Sequence, residues 1–154
     1  EENVVLVKDS SRDAERMKVA LKARERRPAL RLLNGDEFDC VRYLAAGYDG
    51  LLLGGGIFNG RLARWLIEAV ENDDPEQAEQ LQQRMNRLMY DVYGGAKVEC
   101  WLAGLKHLLV QMDIFRSPKA YLRFPLTPAC RQAIADAMKR ENDALNPKST
   151  APPR

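Results

Sequence analysis

The sequence has no run of apolar residues approaching the roughly 20 that span a bilayer, and no charged-then-apolar leader precedes its first apolar stretch. Neither a membrane-spanning helix nor a membrane partner is expected, and the expected location is cytoplasmic. Histidine is nearly absent. His107 is the only one, which excludes a multi-histidine metal site and any Ser-His or Cys-His catalysis that does not use this residue. Its setting in an apolar helical run points to a structural role. Cysteine is scarce: Cys40, Cys100 and Cys130 are odd in number and widely spaced, suggesting neither a disulfide framework nor a zinc pattern, so all read as small core residues. An excess of either charge is also missing. The 24 basic and 22 acidic residues leave a net charge of +2, interspersed apart from a basic cluster at Lys22 to Arg27. That cluster reads as a solvated helix end rather than a nucleic-acid patch. No initiator methionine opens the chain, which suggests a processed product or the carboxyl-terminal part of something longer.

What is present begins with Val4-Val5-Leu6-Val7-Lys8-Asp9. Consecutive apolar, mostly β-branched residues predict a strand buried on both faces, as in a parallel sheet. A lysine where a barrel strand meets its loop stands where α/β barrels keep their chemistry; taken alone, it reads better as a solvated charge, since lysine is rarely buried. Helical spacing of Ala14, Met17, Ala20 and Leu21 predicts a helix from Arg12 to about Arg27, with serine and aspartate before it as caps. A second strand follows at Ala29 to Leu33, a second helix at Asp36 to Ala46 closed by Gly47, a third strand at Gly50 to Leu53, and a third helix at about Phe58 to Asn72. Strand and helix alternate with short connections, which predicts parallel βα units.

From Asp73 the pattern is all helical. Asp74-Pro75-Glu76 opens a helix reaching about Tyr93, Gly94-Gly95 breaks it, and a helix at about Val98 to Met112 is apolar almost all round, predicting burial. Thr127-Pro128 starts a last helix ending near Leu145. The expected domains are 1–72 as three βα units, 73–145 as a helical region and 146–154 as a disordered tail. Three parallel strands alone would leave open edges, whereas eight βα units close a barrel of about 250 residues. The expected fold class is therefore α/β: the carboxyl-terminal part of a (β/α)8 TIM barrel, followed by a helical extension. About five units are missing upstream, so another polypeptide segment is an expected partner.

Five stretches in order carry a resemblance: Val5-Leu6-Val7-Lys8-Asp9-Ser10-Ser11, Leu33-Asn34-Gly35-Asp36-Glu37, Ala46-Gly47-Tyr48-Asp49-Gly50, Gly104-Leu105-Lys106 through Met112-Asp113-Ile114, and Arg123-Phe124-Pro125-Leu126-Thr127-Pro128. Together they resemble the carboxyl-terminal half of the dihydrodipicolinate synthase and N-acetylneuraminate lyase family. The resemblance implies a TIM barrel with appended helices, usually a homotetramer, that forms a Schiff base between a strand-end lysine and pyruvate or another 2-oxo acid. It makes Lys8 that lysine. The chemistry wants such a placement, because an amine attacks a ketone only when unprotonated, and lysine, with a free pKa of about 10.4, is charged at neutral pH unless desolvated. The iminium then acts as the electron sink, so no metal and no cofactor is implied.

The resemblance also assigns substrate-facing positions. Gly35 and Leu52 match backbone positions facing the 2-oxo acid, with turn glycine and core leucine as compatible alternatives. Ser10 matches a substrate-touching hydroxyl, and a helix-cap role is equally open. Asp36-Glu37 departs from the lyases: Glu37 keeps one of two sugar-holding carboxylates, Phe38 replaces the other, and Asp36 stands where they keep an aromatic residue. Gly54 replaces a substrate-contacting serine. The run Gly54-Gly55-Gly56 reads either as a tight turn or as an anion cradle. The proton relay and the pyruvyl-carboxylate site of the family belong to its amino-terminal half and are not assignable here. Tyr43 and Tyr48 read as core.

The leading functional expectation is a class I, Schiff-base-forming lyase on a 2-oxo acid, cleaving a 2-keto-3-deoxy sugar acid to pyruvate and an aldehyde. Within the family, the alternatives are synthesis of the dihydrodipicolinate precursor (4-hydroxy-tetrahydrodipicolinate) from pyruvate and aspartate semialdehyde, and dehydration through the same iminium. Outside that chemistry stands a non-catalytic fragment or assembly partner whose helices from Pro75 onward mediate contacts.

Overall fold

A computed structural model of the chain describes residues 3–146. The tail expected beyond Asn146 lies outside the described residues. The chain divides into two compact units, Glu1–Arg84 and Met85–Arg154.

The first unit is built as β1 (Leu6–Asp9), α1 (Ala14–Arg26), β2 (Arg31–Asn34), α2 (Cys40–Ala45), β3 (Gly50–Leu51) and α3 (Gly56–Glu71), and it takes in the first half of α4 (Pro75–Tyr93). The strands form one parallel sheet in the order β1-β2-β3, and parallel neighbours need crossovers, which α1 and α2 supply. Register aligns the strand ends: Asp9 pairs with Asn34, and Asn34 with Leu51. The ladder runs one rung further, Gly35 N–H donating to the Asp9 carbonyl at 2.6 Å and Leu52 N–H to the Asn34 carbonyl at 2.8 Å.

Strand alternation sends Val7 and Asp9 to the helix side of the sheet and Lys8 to the other. On the helix side Leu30, Leu32, Tyr43 and Tyr48 are buried, with Val7 and Met17 packed against them. The tyrosine rings meet edge to face at 5.0 Å. Along α3, Leu62, Leu66 and Ala69 recur at helical spacing and are buried, each leucine contributing about 1.5–3 kcal/mol of apolar burial. The two-sided burial expected of β1 is not met. Val5 is 69% and Leu6 44% exposed, because β1 is an edge strand pairing only with β2.

Helix α2 begins four residues later than the pattern predicts. Asp36 N–H donates to Asn34 Oδ1 at 2.7 Å, Asn34 Nδ2 donates to the Asp36 carbonyl at 2.8 Å, and Phe38 N–H donates to Asp36 Oδ1 at 3.3 Å. These short polar side chains offer the backbone a turn instead of a helix. Gly47 closes α2 at φ 103°, the left-handed conformation that glycine adopts without steric cost.

The second unit holds the end of α4, α5 (Trp101–Gln111), α6 (Pro128–Arg140) and α7 (Asn142–Leu145). Met85, Leu88, Met89 and Val92 of α4 are fully buried, at the spacing of one helix face. Gly104 of α5 crosses that helix where a Cβ would lie 1.8 Å from the Val92 carbonyl oxygen. Helix α5 is largely covered, as expected: Gly104, Leu108 and Leu109 on one face are buried, the residues from Leu102 to Val110 are otherwise half-buried, and only Trp101 and Gln111 at its ends are exposed. Thr127 caps α6 by accepting from Cys130 N–H at 3.1 Å, with Pro128 in the first turn. The single last helix expected breaks at Glu141, which is buried and paired with Arg140 Nε at 2.9 Å. Arg140 also reaches Asp91 at 2.7 Å. No helix among the described residues is long and apolar enough to cross a membrane.

Candidate active site

Level strand ends bring residues 8–10, 34–36 and 51–52 to one edge of the sheet. There Lys8, Ser10 and Gly35 converge. A Cβ on Gly35 would lie 2.1 Å from Ser10 Oγ and 2.3 Å from Lys8 Cε, so the missing side chain is what allows the approach. Lys8 and Ser10 are exposed, and Leu52 at the end of β3 is 47% exposed. Ser10 is not the cap of α1. Asp13 takes that role, accepting from the N–H groups of Glu15 and Arg16, and Ser10 is left beside the lysine.

Glu37 and Gly54 also lie together. The Glu37 carboxylate accepts a hydrogen bond from Gly55 N–H, at the start of α3, where the helix dipole favours a negative charge. A Cβ on Gly54 would sit 3.7 Å from the nearer carboxylate oxygen. The glycine run thus holds an anion that the chain itself supplies. Asp36 is 6% exposed and is turned into the fold, its Oδ1 accepting from Arg12 Nε at 3.0 Å as well as from Phe38 N–H. Its charge is met by Arg12, from the loop after β1.

Behind Lys8, the buried Asp9 carboxylate accepts from Ser11 N–H at 2.8 Å and from the Tyr48 hydroxyl at 2.9 Å. Burial works against its charge, but bonds from Ser11 and Tyr48 outweigh that and hold the carboxyl below its ordinary value. Burial, and then the Asp9 charge, push the Tyr48 phenol up. Burial, reinforced by Asp36 and Glu37, pushes the Cys40 thiol up to about 12, which makes it inert as a nucleophile. All three cysteines are buried and free, as expected. Burial and Arg131 lower the pKa of His107. Among the described residues, no three His, Cys, Asp or Glu side chains converge as on a metal ion.

Sequence reasoning missed three contributors. Gln82 of α4 accepts from Cys40 N–H at 2.6 Å and Val41 N–H at 3.2 Å and donates to the Glu37 carbonyl at 3.2 Å, capping α2, whose own N-cap Asp39 makes no side-chain cap bond. Tyr48 and Arg12 are the others. Only Arg12 carried a usable signal, a cation between the strand-end lysine and the cap.

The sequence profile of the Dihydrodipicolinate synthetase family matches residues 1–141. The chain belongs to this family. Dihydrodipicolinate synthase from Bacteroides thetaiotaomicron superposes with a TM-score of 0.77 at 25% identity, over 91% of this chain and 47% of that one. The enzyme from Thermotoga maritima gives 0.76 at 15% identity, over 92% and 47%. N-acetylneuraminate lyase from Fusobacterium nucleatum gives 0.68 at 18% identity, over 95% and 47%. The chain therefore spans about half the length of the solved structures it matches, and its fold is the corresponding partial TIM barrel, three parallel strands with helices. No curated protein sequence matches it.

Proposed function

We propose that this chain carries the catalytic lysine of a class I, Schiff-base-forming lyase acting on a 2-oxo acid, with Lys8 as the nucleophile. The observation that carries this reading is the convergence of Lys8 and Ser10 on the bare Gly35 at the carboxyl ends of parallel strands, where barrel enzymes keep their active sites. In the reaction, neutral Lys8 Nζ attacks the C2 carbonyl and water leaves, forming the iminium. The C3–C4 bond of a 2-keto-3-deoxy sugar acid then breaks as the C4 hydroxyl proton departs to a base. The bonding pair enters the enamine, C3 is protonated, and water releases pyruvate from the lysine.

Ser10, Gly35 and Leu52 line the 2-oxo acid end in this reading, and Gly54 leaves room beside Glu37, which takes a substrate hydroxyl. Asp36 acts through Arg12. An amine attacks a carbonyl only in its neutral form, which desolvation favours, so the chemistry needs an enclosure. The exposed Val5, Leu6 and Leu52 support a partner segment, the other half of the barrel, that covers this face and desolvates Lys8. Residues 1–72 then serve as barrel units and 73–145 as the helical region of a homo-oligomer.

A second reading is condensation of pyruvate with an aldehyde through the same iminium. The 25% identity to a dihydrodipicolinate synthase favours it.

The test is intact mass and peptide mapping after incubation with pyruvate and borohydride, with and without the complementary half. A reduced adduct on Lys8, lost in Lys8→Arg because guanidinium stays protonated, is the expected result. No adduct with both halves present, or an arginine variant that still turns over a 2-oxo acid, refutes the reading. Cleavage against synthesis is then read from turnover of each substrate pair.

A further inference from the structure

Arg12 is the residue at this site whose geometry has no explanation in fold alone. Its φ is 59°, a left-handed conformation that a side chain bearing a Cβ adopts at a cost and that clusters at functional sites. Neither a helix nor a strand imposes it, since β1 ends at Asp9 and α1 begins at Ala14. What holds it is a three-part clamp: Nε donates to Asp36 Oδ1 at 3.0 Å, the guanidinium carbon stands 5.3 Å from the centroid of the Phe38 ring, and Asp36 is itself fastened by the turn at Asn34. The clamp uses one edge of the guanidinium. Its side chain remains 63% exposed, and among the described residues no protein group accepts from the two terminal NH2 groups. Arg12 lies in the loop after β1, and its partner Asp36 follows Gly35, against which Lys8 and Ser10 pack, so Arg12 stands at the same carboxyl end of the sheet as the lysine.

We infer that Arg12 is a specificity-determining residue that binds an anionic group, phosphate or carboxylate, at the end of the substrate remote from the keto carbon. This rests on the proposed Schiff-base reading and extends it. The chemistry favours arginine in the role: its charge is permanent, and two terminal nitrogens present parallel donors that match two oxygens of either anion. The stacked ring and the buried carboxylate remove rotamer freedom before the ligand arrives, lowering the cost of ordering a long side chain on binding. A distal anion also suits the rest of the rim. Glu37, which also accepts from Gly55 N–H, serves a hydroxyl, and Arg12 supplies the positive charge that an anion needs.

The test uses the assembled barrel and three probes differing only at C6: 2-keto-3-deoxygluconate, its 6-phosphate, and the corresponding 6-carboxylate. Wild type is expected to prefer an anionic probe to the neutral one in kcat/KM. In Arg12→Gln the anionic-to-neutral ratio should fall about 10- to 100-fold, the range of a charged hydrogen-bonded contact. Arg12→Lys, which keeps the charge but not the fork, should recover part of it. Which anionic probe loses more separates phosphate from carboxylate recognition. A purely structural role would lower kcat/KM for all three probes alike, and an unmoved ratio in both variants, or a common loss, overturns the inference. Pyruvate trapping on Lys8 is read in parallel. If Lys8 traps and the ratio does not move, only this inference fails; if Lys8 does not trap, the Schiff-base reading fails and takes this inference with it.

Discussion

Gly35→Ala separates stability from chemistry at this site. The new Cβ would stand 2.1 Å from Ser10 Oγ and 2.3 Å from Lys8 Cε, while carbon atoms rest about 3.5–4.0 Å apart. Lys8 Cε must therefore retreat by more than about 1 Å. Both displaced groups are exposed side-chain ends that swing away at little cost, and the nearest backbone atom, the Asp9 carbonyl oxygen at 3.3 Å, needs to yield only slightly. The backbone at Gly35 lies outside the left-handed region, so alanine adds no strain there and gains about 0.4–1 kcal/mol by restricting the unfolded chain. Net stability is expected to stay within about 1 kcal/mol of wild type. The chemistry is expected to suffer far more. Misplacing a reacting group by about 1 Å costs on the order of 100-fold, equivalent to about 2.7 kcal/mol in the barrier. The assay pairs the initial rate of borohydride-trapped pyruvate adduct, read by intact mass in the assembled barrel, with urea unfolding of the same variant. Trapping at the wild-type rate would show that the approach of Lys8 and Ser10 to Gly35 does not matter to the reaction. A collapse of stability alongside it would assign the glycine to the fold instead.

Two further substitutions test the packing behind the site and in the second unit. Tyr48→Phe removes the hydroxyl donor to Asp9 at 2.9 Å and should cost about 1–3 kcal/mol. Because the Asp9 carboxyl lies below its ordinary value of 3.8 in the folded chain, its contribution is present above that pH and is lost as pH falls through the folded value. The variant's shift is smaller, so the gap between wild type and variant in urea unfolding should narrow from pH 6 to pH 3; a constant or widening gap contradicts the assignment. Gly104→Ala sets a Cβ 1.8 Å from the Val92 carbonyl oxygen, a backbone atom that cannot step aside, and should cost about 3 kcal/mol. A loss below about 0.5 kcal/mol in chemical denaturation, the range of an ordinary surface change, would mean that the close helix crossing is not kept in solution.

The order of elements was legible because each depends on nearest neighbours. Apolar runs mark β1 to β3, helical spacing marks α1 and α3, and Gly47, Asp13 and Thr127 carry the local chemistry of caps and turns. Of the candidate site, the strand-end position of Lys8 could be read from the apolar run before it, whereas Ser10, Gly35 and Leu52 were singled out only through the family resemblance; the fold places all four at or just after strand ends. The misses share a cause. Arg12 meets Asp36 across 24 residues, Tyr48 meets Asp9 across 39, and Gln82 meets the start of α2 across 42; no local pattern records such pairs. The late start of α2 is a local miss, where the side chains of Asn34 and Asp36 won the backbone from the helix.

By itself, then, the sequence determined which segments become strand or helix and which residues arrive at strand ends, because periodicity and capping act over one or two turns of chain. Only the tertiary structure decided that Asp36 turns inward to clamp Arg12, that Glu37 fills the glycine cradle before α3, and that β1 stays open to one side. Those outcomes depend on which surfaces meet across the sheet and between helices. Hydrogen bonds and burial are settled only when distant segments compete for the same partners and the same space.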